Sequence, residues 1–230
     1  SSHGVPLRGG RSLQLGLPVV WTEARRRGID VVGDIELFAR ATNAPVLAVT
    51  GSNGKSTVTA LTAHLLEAAG YAAPAGGNLS PPALELLKAG ADGSAPDAYV
   101  LEISSFQMET TDSLRPLAAT VLNISADHLD RHGDIDRYAG LKAKLLWAAE
   151  YAVFNRDDPH ARAIGERCPR PIPFSSEHPL VLGWSVLEHD GVRSLARDGH
   201  PLVPAASLAL RGRHNEANAL AALALAAVFI

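Results

Sequence analysis

Apolar and polar positions along this chain switch repeatedly between two periods. Val46-Leu-Ala-Val49 is a short unbroken apolar run, a polar glycine-bearing stretch follows it, and from Lys55 onward the apolar spacing becomes helical. A run of that length bounded by glycine fits a strand buried on both faces of a parallel sheet. The same reading continues downstream. It predicts strand 46–50, helix 55–69, a short strand near Ala72, helix 81–89, strands 99–103 and 119–124, helix 136–149, strand 152–155 and helix 159–167. Strands alternating with helices imply a mostly parallel sheet with helices on both faces, an α/β fold. In residues 171–210 the pattern changes to short extended runs at 180–182, 202–203 and 208–210 between Gly, Pro and Asp turns, which predicts a small antiparallel extension packed on one edge. Ahead of the first strand, residues 1–43 are glycine-rich and then mix apolar runs (18–20, 29–32) with helical patterns (22–27, 34–41), Asp34 being placed as an N-cap. They read as the tail of a separate small α/β domain, joined through Asn43-Ala-Pro45 to a central domain of residues 44–230.

Composition narrows the function classes. With 47% hydrophobic residues the chain can bury a full core, and a net charge of -3 without a basic tract argues against nucleic acid as a partner. Arg25, Arg26 and Arg27 are expected on a solvated helix face. The one cysteine, Cys168, cannot form an internal disulfide and is assigned no chemistry, and a reduced cytoplasmic setting is expected. Neither a signal peptide nor a span of membrane length is visible, so no membrane insertion is expected. The chain begins at Ser1 and stops at Ile230 inside a helical run, and reads as a piece of a longer protein.

Candidate chemistry begins at Gly51-Ser52-Asn53-Gly54-Lys55-Ser56-Thr57. The glycines let backbone approach an anion, the helix opening at Lys55 offers free N–H groups and a positive dipole end, Lys55 would neutralise phosphate, and the Ser56 hydroxyl could hold magnesium. The loop is shorter than the usual nucleotide loop, whose first glycine would fall on Val49. In an open parallel sheet ligands gather at the carboxyl ends of strands. Glu102 and Ser104 share one side of a strand end there, and Glu102 reads either as a surface acid or as a magnesium ligand. Asp127-His128 reads by itself as a surface or helix-start pair. Lys142 falls within the apolar stripe of Tyr138, Leu141, Leu145 and Ala149 while Lys144 points away; it either snorkels outward or is a desolvated, reactive amine. Asn215 and Asn218 lie three apart at the start of the last helix, where two carboxamides suit a purine edge.

Together, Val49-Thr-Gly-Ser-Asn-Gly-Lys-Ser-Thr57, Gly76-Gly-Asn78, Leu101-Glu-Ile-Ser-Ser-Phe-Gln-Met-Glu109, Asn123 with Asp127-His128, Asn155-Arg-Asp-Asp158 and Gly212-Arg-His-Asn-Glu-Ala-Asn218 resemble, in order and spacing, the blocks of the Mur ligases. These are the ATP-dependent amino-acid-adding enzymes of bacterial peptidoglycan synthesis. Glu-Ile-Ser-Ser-Phe-Gln looks most like the D-glutamate-adding branch rather than the related folylpolyglutamate synthases. The resemblance implies the P-loop-type central domain of that family, ATP as cofactor, and UDP-N-acetylmuramoyl-L-alanine and D-glutamate as substrates of a monomer. It further implies that Ser56 and Glu102 bind a first Mg2+, that Lys55 holds phosphate, and that Asn78, Ser104 and His128 bind the UDP-sugar substrate. His128 would face a second Mg2+ with Lys142, which matches a carbamylated lysine, and Asn215 and Asn218 match adenine contacts. Residues 1–43 would be the end of a UDP-binding domain, where Ser2-His-Gly4 departs from the usual Ser-Pro-Gly. The amino-acid-binding C-terminal domain would be absent and the fragment inactive on its own. A nucleotide-binding module acting as a switch is the alternative from another class.

Overall fold

The computed structural model describes residues 22–24, 26–88, 94–125 and 135–230. The elements run α1 (Asp34–Ala41), β1 (Val46–Thr50), α2 (Lys55–Ala68), β2 (Ala75–Gly77), α3 (Ala83–Leu86), β3 (Tyr99–Glu102), α4 (Ser105–Met108), β4 (Ala118–Val121), α5 (Ile135–Ala148), β5 (Tyr151–Asn155), α6 (Pro159–Gly165), β6 (Pro171–Ser175), β7 (Trp184–His189), β8 (Val192–Arg197), β9 (His200–Pro204) and α7 (Arg213–Phe229). The nine strands among the described residues join one sheet in the order β2-β3-β1-β4-β5-β6-β7-β8-β9. Pairing is parallel from β2 through to β7 and antiparallel for β7–β8 and β8–β9. The chain therefore has the expected α/β architecture, and its antiparallel extension continues the sheet at one edge.

Strand β1 is buried at every position because both faces of the sheet are covered. Val46 and Ala48 face a core that includes Ile35 and Phe38 of α1, Met108 of α4 and Leu145 and Leu146 of α5. Leu47 and Val49 face a second core with Val58 and Leu66 of α2 and the alanine- and leucine-rich α7. Alternation of this kind assigns successive residues of one strand to opposite layers. The sheet order reverses direction at β1, whose neighbours β3 and β4 both come later in the chain, so a crevice opens at its carboxyl end.

Several expectations are corrected. No strand forms at Ala72; its N–H donates to Asp97 at 2.7 Å, and the strand lies at Ala75–Gly77 instead. Helix 81–89 contracts to Ala83–Leu86 among the described residues. Asp34 is the first helical residue rather than the cap, which falls on Gly33. Runs 180–182 and 208–210 are not strands, while Pro171–Ser175 is one. Arg26 and Arg27 are exposed and pair with Glu23, as a solvated helix face should; Arg25 and residues 18–20 lie outside the described residues. Cys168 is buried, which pushes its thiol pKa up and suits a residue without chemistry. No helix among the described residues is long and apolar enough to cross a membrane.

Candidate functional site

The loop 51–54 occupies the reversal point of the sheet, and neighbouring strand ends hold it there. Its Ser52 N–H donates to the Asn123 carbonyl at 3.0 Å. The Asn123 carboxamide then grips Asn53 at both main-chain groups, accepting its N–H at 2.8 Å and donating to its carbonyl at 3.1 Å. Ser52 Oγ accepts from the Ser125 N–H at 3.0 Å and lies 3.3 Å from the Tyr138 hydroxyl. Asn123 belongs to one of the resembling blocks, but sequence reasoning gave it no role. The available signal was its position as the first polar residue past the apolar β4.

Gly54, at φ 85°, stands in the left-handed region, and a Cβ there would come within 2.6 Å of Asn218 Oδ1. Only glycine allows both the turn and this approach of α7. The helix α2 begins at the next residue, so its unsatisfied N–H groups and positive dipole end face the loop's mouth. Lys55 Nζ donates to the Gly51 and Ser52 carbonyls at 3.0 Å each, curling over the loop it is expected to charge-balance.

Glu102, at the end of β3, is 3% exposed. Its Oε2 accepts from the Ser56 hydroxyl at 2.7 Å and its Oε1 from the Asn78 carboxamide at 2.7 Å. Glu102 is therefore no surface acid. Both side-chain partners are neutral, and it forms no ion pair among the described residues. A buried carboxylate beside a hydroxyl, with its charge unbalanced by a side-chain cation, is the donor set that a hard dication takes. Ser56, Glu102 and Asn78 come together as the sequence grouped the first two. Ser104 follows, capping α4: Gln107 N–H donates to its Oγ at 3.3 Å, and Gln107 Oε1 accepts from its N–H at 3.0 Å.

Lys142 does not snorkel. It is 1% exposed, and Nζ donates to the Gly51 carbonyl at 3.0 Å and lies 3.4 Å from Thr50 Oγ1 and 4.5 Å from the centre of the Tyr138 ring. Lys144, four-tenths exposed, turns away to Asp112. The amine of Lys142 thus ends against the first residue of the loop, on the side of the sheet opposite α2. His128 and Asp127 lie outside the described residues.

At the other side of the loop, Asn218 Nδ2 donates to Asn215 Oδ1 at 3.2 Å and Asn215 Nδ2 to the Arg211 carbonyl at 2.9 Å. A cavity of about 560 Å³ opens beside them, lined by Asn53, Gly54, Asn123, His214, Asn218 and Phe174 among others. It adjoins the loop and the first turn of α7, which is where a base would lie if its phosphates met residues 51–57.

Comparison with known proteins places this architecture. Residues 49–226 match the Mur ligase middle domain. The chain is 48% identical over 202 residues to a UDP-N-acetylmuramoylalanine–D-glutamate ligase of Nitrosococcus oceani, covering 88% of this chain and 44% of that protein. It is 45% identical over 219 residues to the enzyme of the same name from Methylobacillus flagellatus, covering 93% and 47%. The chain thus spans somewhat under half the length of these curated relatives. Among solved structures, a UDP-N-acetylmuramoyl-L-alanyl-D-glutamate–2,6-diaminopimelate ligase superposes with a TM-score of 0.67 at 26% identity, over 81% of this chain and 43% of that one. A UDP-N-acetylmuramate:L-alanyl-gamma-D-glutamyl-meso-diaminopimelate ligase from Neisseria meningitides shares the fold, with a TM-score of 0.67 at 22% identity over 95% and 72%. A phosphate-type loop at the reversal point of a parallel sheet, the buried Glu102 hydrogen-bonded to Ser56 beside it, and a sequence match over residues 49–226 agree: the chain belongs to the Mur ligase family, through its middle domain.

Proposed function

We propose that this chain is the ATP-binding part of a cytoplasmic bacterial ligase that joins D-glutamate to UDP-N-acetylmuramoyl-L-alanine in peptidoglycan synthesis. The substrate choice is supported by the 48% identity to an enzyme of that name. The chemistry is supported above all by one observation, the buried Glu102 carboxylate hydrogen-bonded to Ser56 at the first turn behind the loop. In this reading residues 1–43 end a UDP-binding domain, residues 44–230 form the central domain, and a further domain of the full-length protein binds D-glutamate.

The residues divide the work by position. Backbone N–H groups of residues 51–57 and the Lys55 ammonium hold the triphosphate, and Asn215 and Asn218 meet the adenine edge. Asn78, Ser104 and His128 hold the UDP-sugar substrate. Ser56 and Glu102 would hold one magnesium ion, and His128 with a carbamylated Lys142 a second; the ions would neutralise phosphate charge. The substrate carboxylate attacks the γ-phosphorus, the bond to the β,γ-bridging oxygen breaks, and ADP leaves. The D-glutamate amine then attacks the acyl carbon and phosphate departs, leaving an amide. Catalysis of phosphoryl transfer is mostly alignment and charge neutralisation, and the fixed loop supplies the alignment.

Lys55→Ala is expected to weaken ATP binding by about 1.5–3 kcal/mol, the worth of a charge-assisted hydrogen bond to phosphate. Isothermal calorimetry on the full-length protein measures it. Equal affinities of wild type and variant would remove the loop from the nucleotide site.

A further inference from the structure

Gln107 makes more hydrogen bonds than a helix cap requires, and their pattern fixes where its protons are. Its Oε1 lies 3.0 Å from the Ser104 N–H, which can only donate. Its Nε2 lies 3.1 and 3.3 Å from the two carboxylate oxygens of Asp34, which can only accept. The two neighbours together set the orientation of the carboxamide. Oε1 is also 3.1 Å from Ser104 Oγ, and since Oε1 has no proton, the Ser104 hydroxyl must donate to it. That hydroxyl accepts in turn from the Gln107 N–H at 3.3 Å. Its proton and one lone pair are committed, and one lone pair remains among the described residues.

Asp34 is held as firmly as the groups it orients. It opens α1, whose Ile35 and Phe38 are fully buried in the core shared with β3 and α4. Two residues on, Glu36 binds the N–H groups of Asp112 and Ser113 just past α4. Helix α1 and the segment carrying Ser104 are therefore tied at two points, although Asp34 and Gln107 stand 73 residues apart in sequence.

We propose that Gln107, oriented by Asp34, is a positioning residue that presents Ser104 as a pure hydrogen-bond acceptor to the carboxylate substrate. The inference rests on the reading of Ser104 as substrate-facing, and it deepens that reading. The group met by Ser104 is an N–H or O–H donor of the substrate, not a phosphate or carboxylate oxygen. Through Asp34 the placement of this contact depends on α1, the last helix before the central sheet.

The test is steady-state kinetics on the full-length protein. Gln107→Glu sets a second carboxylate against Asp34, and is expected to raise KM for UDP-N-acetylmuramoyl-L-alanine roughly tenfold with KM for ATP changed less than about twofold. Adding Asp34→Asn supplies a donor to the new carboxylate, which still accepts from Ser104, and should return KM close to wild type. In a Ser104→Ala background Gln107→Glu should add little further. A mere folding role predicts that both KM values move together, and that result, or a double variant no better than Gln107→Glu, would overturn the inference alone. A wild-type protein that does not turn over this substrate would overturn the functional reading and the role of Ser104 with it.

Discussion

Replacing Lys142 by arginine in the full-length protein is expected to lower turnover by on the order of 10²- to 10³-fold while ATP still binds, the loss seen when one preorganised charge contact of a transition state is removed. The expectation follows from two facts that pull against each other. Lys142 is buried at 1% exposure, its Nζ 3.0 Å from the Gly51 carbonyl, so it sits where a charge acts through little solvent. It also stands where a second magnesium ion is proposed to sit, and a permanent cation would repel that ion. A carbamate, formed when the neutral amine adds carbon dioxide and releases a proton, reverses that charge. Two unit charges 4 Å apart interact by about 4 kcal/mol at an effective dielectric of 20, so the sign of this group matters. Arginine keeps the cation and its donors but forms no carbamate. Were Lys142 only a brace for Gly51, arginine would largely preserve activity and bicarbonate would be irrelevant. Depleting bicarbonate is therefore expected to slow the wild type, and near-normal turnover in the arginine variant would contradict the carbamate.

The second large effect concerns stability. Glu36 is 2% exposed and ties α1 to the segment after α4. Burial by itself raises its pKa, but the Ser113 and Asp112 N–H groups, the Ser113 hydroxyl and the Arg40 guanidinium outweigh burial and bring it from an ordinary 4.5 down to about 2. A carboxylate pKa lowered in the folded state stabilises the fold above its unfolded value, and this stabilisation is lost as pH falls through the folded value. The contribution is about 3 kcal/mol at neutral pH and should fade between pH 4.5 and 2. Glu36→Gln should lose about that much by urea unfolding at pH 7, and the gap between variant and wild type should narrow as the wild type itself protonates. A gap that does not change with pH would mean that Glu36 stabilises by shape rather than by charge.

How much of this was legible depends on whether a signal was local. The apolar run of β1 and the glycines after it announce a buried strand and a loop, and the structure puts both at the sheet's reversal point. Strand β6 was hidden by Pro171 and Pro173, which read as breakers. They are tolerated because β7 pairs with β6 only at Phe174 and Ser175, leaving the prolines on an edge stretch. Strands β7 and β8 carry Glu188, Arg193 and Arg197 on a half-exposed surface and so lack an apolar run, although the Asp190-Gly191 and Asp198-Gly199 turns between β7, β8 and β9 have the left-handed backbone that Asp-Gly favours. Within the site, the family resemblance pairs Ser56 with Glu102, while the residues alone leave Glu102 open between a surface acid and a magnesium ligand. The place of Lys142 on the helical stripe leaves snorkelling and burial both open, and the structure decides for burial. The grip of Asn123 on Asn53 and the link from Gln107 to Asp34 could not be foreseen, since each joins residues some 70 positions apart through a single side chain.

Residues 51–57, with Glu102 and Ser56, are proposed to serve ATP cleavage that drives amide formation between two particular substrates. The most direct measurement is phosphate release by the full-length protein in the presence of ATP and magnesium, with D-glutamate and UDP-N-acetylmuramoyl-L-alanine supplied together, singly, or with L-glutamate replacing the D-isomer. Release that needs both substrates and fails with L-glutamate is the predicted result. Phosphate release indifferent to both, or ATP binding with no release under any combination, would contradict the account and leave a nucleotide-binding module in its place.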